Sequence, residues 1–134
     1  MQRLLAESGK YKVISEYEAV TLHFKIDKRA PVYIGDFYGD PDSAIISDDE
    51  SFVAMAGCGL IIYKIQEPFE EYNSNEKTNQ YFIFKNSGPD IWWTEKIHQD
   101  SADKNADSFR FTKLENPNAG LYRFDTLTNS VELM

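Results

Sequence analysis

Alternation at every second residue constrains this chain more than any other feature. In Val20-Thr21-Leu22-His23-Phe24-Lys25-Ile26 the even positions are apolar and the odd ones polar. A half-buried strand requires this, because successive side chains leave it on opposite faces. Similar short runs, rich in aromatic and aliphatic residues, lie at Val32–Tyr38, Phe52–Ala56, Leu60–Ile65, Tyr81–Lys85, Ile91–His98, Phe109–Leu114, Leu121–Phe124 and Val131–Leu133. Turn-forming clusters divide most of them, notably Gly57-Cys58-Gly59, Asn86-Ser87-Gly88-Pro89-Asp90 and Asn116-Pro117-Asn118-Ala119-Gly120. The pattern predicts a mainly β protein, an antiparallel sandwich or half-barrel of about eight or nine short strands. Helix is expected to be short at most, at Met1–Ser8 or within the polar connections Gln66–Gln80 and Gln99–Asp107.

The 134 residues are enough for one globular domain spanning 1–134 that buries a core without staples. The apolar faces of the alternating runs predict that core: Val20, Leu22, Phe24, Ile26, Ile34, Ile45, Phe52, Ala54, Leu60, Ile62, Phe82, Phe84, Phe109, Phe111 and Leu121. The nearly apolar stretch Phe52–Tyr63 has 12 residues. A spanning helix needs roughly 20, so this stretch reads as a buried hairpin. No apolar segment followed by small residues opens the chain, so no secretory signal is expected. A single cysteine, Cys58, excludes an internal disulfide framework and agrees with a reducing cytoplasm.

One near-repeat stands out. Ala44 to Ile65 reads as strand, Ser-Asp-Asp-Glu turn, strand, Gly-Cys-Gly turn, strand, and resembles the inner part of a β-propeller blade; Gly120 to Leu133 resembles the outer hairpin of another. A propeller needs at least about four blades of four strands, more than this length holds. The similarity therefore implies an antiparallel meander.

Charge is distributed unevenly. From Asp36 to Glu76 ten acids (Asp36, Asp40, Asp42, Asp48, Asp49, Glu50, Glu67, Glu70, Glu71 and Glu76) face one base, Lys64, in a chain of net charge −8. Such a block repels nucleic acid and anionic membrane and steers a basic partner toward it. Four aromatics, Phe82, Phe84, Trp92 and Trp93, could stack on bases, but the cations are scattered and form no groove to follow phosphates. Because neighbours on a strand point to opposite faces, Trp92 and Trp93 cannot both enter one core, and an exposed tryptophan is a natural interface anchor.

Catalytic and metal chemistry find little support. Cys58 is the one thiol, and it reads as a small buried hydrophobe at a hairpin turn. His23, on the polar face of its strand, and His98, at a strand end, read as surface imidazoles. Asp36/Asp40/Asp42 and Asp48/Asp49/Glu50 supply carboxylates without the ligand spacing of a calcium loop, and both read as turns. One cysteine and two distant histidines are too few for zinc. No cofactor, metal or enzymatic activity is expected.

In size, acidity and lack of a reactive constellation the chain resembles the immunity proteins that neutralise bacterial polymorphic toxins, including those of contact-dependent inhibition. The resemblance is of overall type and carries no shared motif. It implies a cytoplasmic protein that binds and neutralises a basic toxin domain, in the first instance a nuclease, whose active site is basic because it holds phosphate. Asp36, Asp40, Asp42, Asp48, Asp49, Glu50, Glu67, Glu70 and Glu71, with Trp92, are the residues expected to meet that partner. Two other readings stay open: a small-ligand-binding β-barrel or sandwich, with a histidine and a carboxylate facing inward, and an acidic scaffold or subunit domain.

Overall fold

A computed structural model describes residues 1–134 and is mainly β, with twelve strands in three four-stranded antiparallel meanders. The N-terminal sheet is β1 (Gln2–Glu7), β2 (Tyr11–Glu16), β3 (Ala19–Phe24) and β4 (Val32–Asp36). The central sheet is β5 (Ser43–Ile46), β6 (Phe52–Gly57), β7 (Gly59–Lys64) and β8 (Tyr81–Phe84). The C-terminal sheet is β9 (Thr94–His98), β10 (Ser108–Lys113), β11 (Gly120–Asp125) and β12 (Ser130–Leu133). The first strands β1, β5 and β9 lie along a common edge, from which the three sheets stack face to face. No helix is long and apolar enough to cross a membrane.

Stacking three sheets explains why one region lacks alternation. The central sheet is covered on both sides, so β6 and β7 are apolar at nearly every position and buried from Phe52 to Tyr63. One face of that sheet (Ala44, Val53, Met55, Ile61, Tyr63, Tyr81) packs on Val13, Val20, Leu22 and Ile34 of the N-terminal sheet. The other (Phe52, Ala54, Ala56, Leu60, Ile62) packs on Ile97, Phe109, Phe111, Tyr122 and Phe124. Each outer sheet has one free face and keeps its period of two.

The strand count exceeds the expected eight or nine because the N-terminus pairs as β1 and β2, not forming the helix expected at Met1–Ser8, and because Ser43–Ile46 adds β5. Leu4, Leu5, Ala6 and Glu7 favour helix intrinsically, but pairing with β2 overrides that preference. A register shift between Leu4 and Ala6 interrupts the alternation that would have marked the strand. In β2 the inward series is Tyr11, Val13 and Ser15, and the buried serine disguises the apolar face. The architecture is of the expected sandwich-like class, with two stacked interfaces, and no barrel closes.

Two expected core residues lie outside. Ile26 is 74% exposed because β3 ends at Phe24, and Leu121 sits with Thr112 on the free face of the C-terminal sheet while Tyr122 turns inward. Gly59 has φ of +80°, and a Cβ there would stand 2.6 Å from the Phe84 carbonyl oxygen, so the Gly57-Cys58-Gly59 connection needs glycine at its last position. The blade-like reading of Ala44–Ile65 corresponds to β5–β7, and that of Gly120–Leu133 to β11–β12.

Of the polar connections, 99–107 holds one helical turn, α1 (Ser101–Lys104). The 66–80 connection contains no helix and crosses the edges of β4 and β8. Its anchors are the Tyr72 N–H donating to the Tyr33 carbonyl (2.8 Å) and the Tyr63 hydroxyl donating to the Glu70 carbonyl (2.6 Å). The buried Gln80 side chain joins both ends of the loop, donating to the Lys64 and Gln66 carbonyls and accepting from the Glu70 N–H.

Candidate partner-binding site

Consecutive connections of a meander emerge at opposite ends, so the acids of Asp36–Glu76 cannot share one face. The β4–β5 connection (37–42) marks the lower end of the stack and the β5–β6 turn (47–51) the upper end. Asp40 and Asp42 lie at the lower end, with Asp36 closing β4. Asp48, Asp49 and Glu50 lie at the upper end, near Glu67.

The upper acids are largely satisfied within the chain. Glu67 pairs with both terminal nitrogens of the Arg29 guanidinium, whose central carbon lies over the rings of Phe24 (4.6 Å) and Phe69 (4.9 Å). Asp48 is 3.9 Å from the Lys104 ammonium. Asp49 accepts from the Ser51 and Ser47 hydroxyls (2.6 and 2.9 Å), and the Ser51 hydroxyl foremost holds its pKa below the ordinary value. Glu50 accepts from the Ser8 hydroxyl and the Lys10 N–H, and these bonds, the Ser8 one foremost, lower its pKa.

Toward the lower end residues 71–76 of the 66–80 connection face Tyr33–Tyr38, along β4 and just past it, across a cavity of about 640 Å³. Its acids are Asp36, Glu71 and Glu76, and its walls include Tyr33, Phe37, Tyr38 and Tyr72. Tyr33 orients two of the acids: its hydroxyl donates to Asp36 (2.7 Å) and its N–H to Glu71 (2.7 Å). Tyr72 stands edge-on to Tyr33, with centroids 5.7 Å apart. None of the three acids is in an ion pair, and no lysine, arginine or histidine lines the cavity.

Tyr72 is 5% exposed. The hydroxyls of Tyr33, Tyr63, Tyr81 and Tyr122 all donate within the chain, whereas that of Tyr72 has no such partner. Burial foremost, then the Asp36 charge, pushes its phenol up to about 12. Cys58 lines the base, 3% exposed; burial raises its thiol pKa, and its Sγ contacts the Asn86 carbonyl oxygen at 3.7 Å.

Of the residues expected to meet a partner, the structure brings Asp36 and Glu71 together in this cavity. Asp40 lies in the adjoining turn, and Asp42 accepts from the Lys96 N–H (2.9 Å). Asp48, Asp49, Glu50 and Glu67 are at the other end, and the Glu70 carbonyl is tied to Tyr63. Trp92 packs into the second core against Tyr122 (4.9 Å) and Phe84 (5.4 Å), whereas its neighbour Trp93 meets the 78% exposed Tyr38 and forms a β-bridge with Cys58. Sequence reasoning missed Tyr33, Tyr38 and Tyr72. The pairing of acid with aromatic in Asp36-Phe37-Tyr38 and Glu71-Tyr72 was the available signal.

Neither histidine lines this cavity. The His23 Nε2 contacts the Thr21 hydroxyl at 2.9 Å, and burial and Lys12 lower its pKa; His98 Nδ1 contacts the Lys96 carbonyl oxygen at 3.0 Å. No group of three or more histidine, cysteine or acidic side chains is placed to hold a metal ion. Comparison of the chain with known protein families, with curated proteins and with solved structures finds no match.

Proposed function

We propose that this chain is an immunity-type protein that binds a basic toxin domain, in the first instance a nuclease, and blocks it without chemistry of its own. It acts in the cytoplasm and needs no cofactor, nucleic acid or membrane. The observation that carries the reading is the lower cavity, where three carboxylates without ion-pair partners converge beside aromatic walls. Glu67 and Asp48, each beside a cation of the chain, add little to a partner's attraction, whereas carboxylates without one in a concavity focus the field. The exposed Tyr38 beside Trp93 supplies apolar area next to that charge.

The reading expects a toxin gene immediately beside this one, and the toxin domain it encodes is the test partner. Asp36→Asn, Glu71→Gln and Glu76→Gln together should slow association about tenfold or more and flatten its salt dependence. Asp48→Asn, Asp49→Asn and Glu50→Gln together should have a smaller effect. Equal effects of the two triples would sink the assignment to the lower end, and no binding by the parent protein would sink the reading itself. A small-ligand site is the second reading, favoured by a volume within the usual range of about 300–1,000 Å³.

A further inference from the structure

The chain already contains one example of how it accommodates a guanidinium. Arg29 lies over Phe24 and Phe69 and pairs with Glu67 at the upper end. Aromatic faces attract the delocalised cation, and a carboxylate receives its parallel N–H donors. The lower cavity has the same ingredients in larger number, but no basic side chain of the chain pairs with its acids.

The acceptors there are partly committed in a way that leaves others available. The Tyr33 hydroxyl is bonded to Oδ2 of Asp36 and its N–H to Oε2 of Glu71, fixing both carboxylates while Oδ1 and Oε1 accept no bond within the chain. Glu76 accepts none. Tyr72 adds a nearly buried side chain with an unpartnered hydroxyl. No side-chain oxygen or nitrogen is buried without a partner, so the Tyr72 hydroxyl keeps access to water from the cavity and is available to a ligand that enters it.

We propose that the cavity between Tyr33, Asp36, Glu71, Tyr72 and Glu76 is a recognition site for an arginine side chain presented by a basic protein. This deepens the proposed function and rests on it for the identity of the partner, but not for the guanidinium chemistry. Arginine suits the site better than lysine: its planar fork can engage two carboxylates while a face rests on a ring, whereas an ammonium is a compact, strongly hydrated charge.

The probe is N-acetyl-arginine-N-methylamide, titrated into the intact protein and followed by amide NMR, with the lysine and citrulline counterparts as controls. The arginine compound should shift the Asn73, Ser74 and Asn86 amides saturably. Citrulline, which lacks the charge, should bind at least about tenfold more weakly, and lysine several-fold more weakly. Glu76→Gln and Tyr72→Phe should each weaken arginine binding several-fold with the melting curve retained.

Absence of saturable shifts, or equal binding of citrulline, overturns the site; equal binding of lysine overturns its assignment to guanidinium. Failure of the partner reading is separate. If the arginine compound binds while the neighbouring toxin domain does not, the site stands and the immunity reading falls. If the toxin domain binds with unchanged affinity to both single variants, the immunity reading stands and the arginine site falls.

Discussion

The two aromatic-acidic sites of this molecule differ in what supplies the cation. At the upper end Arg29 lies over Phe24 and Phe69 with Glu67 beside it, all from the same chain. At the lower end Asp36, Glu71 and Glu76 gather beside tyrosines and receive no ammonium or guanidinium from within. The first arrangement is consistent with a site whose chemistry is used up in holding a loop. The second leaves carboxylate oxygens and a tyrosine hydroxyl for contacts from outside. The contrast shows that the density of acids along a sequence is a poor guide to their availability, because compensation depends on which connections the fold brings together.

The comparison can be broken most severely through Tyr72, which packs against Tyr33 and Tyr81 (centroids 5.1 Å from the latter). Tyr72→Ala should cost about 3–5 kcal/mol by chemical denaturation, as loss of a buried aromatic does, whereas Tyr72→Phe should cost much less. A Tyr72→Ala variant as stable as the parent would mean that the cavity wall is not packed as described.

Arg29→Ala should lower stability only slightly, since an exposed pair and its aromatic contacts are each worth little. It should also leave Glu67 and the two phenylalanines free to bind the arginine probe at a second, weak site. No new saturable shifts around Phe69 in this variant would show that the two sites are not chemically alike.

Titration separates the ends by sign. Asp49 and Glu50 have folded pKa values below their unfolded ones, so their contribution is present above about pH 4 and is lost as pH falls through the folded values. Tyr72 has a folded pKa raised to about 12, so its contribution is complete below about pH 10 and is lost as pH rises toward that value. In denaturation curves across pH, Asp49→Asn with Glu50→Gln should flatten the acid limb only, and Tyr72→Phe the alkaline limb only. Each variant flattening the other limb would contradict the division.

The smallest effect is expected from the imidazoles. His23→Ala with His98→Ala should change stability by no more than about 0.5 kcal/mol per site and leave toxin binding and arginine binding unchanged. Loss of either kind of binding, with the fold retained, would move the functional centre away from the lower cavity.

Much of the fold was legible in the sequence because strand faces write themselves as a period of two. Val20, Leu22, Phe109 and Phe111 are all buried as that period requires. Phe52–Tyr63 was legible for the opposite reason: a strand pair covered on both faces has no polar side to show. The first two strands were obscured by the register shift at Leu4/Ala6 and by Ser15 at an inward position. Ile26 and Leu121 misled because alternation says which residues share a face but not where a strand stops or which face is covered.

The candidate site was half legible. Its three acids stood out, but so did the seven others of Asp36–Glu76 that the fold sends elsewhere. By itself the sequence determined the β class, the turns, the buried central hairpin and the concentration of carboxylates in Asp36–Glu76, since each depends on neighbours along the chain. Only the tertiary structure decided that three meanders stack and that Glu50 and Glu67 are engaged by Ser8 and Arg29 while Asp36, Glu71 and Tyr72 converge. These outcomes depend on pairing between residues far apart in sequence, and local alternation carries no information about which distant edge a loop will cross.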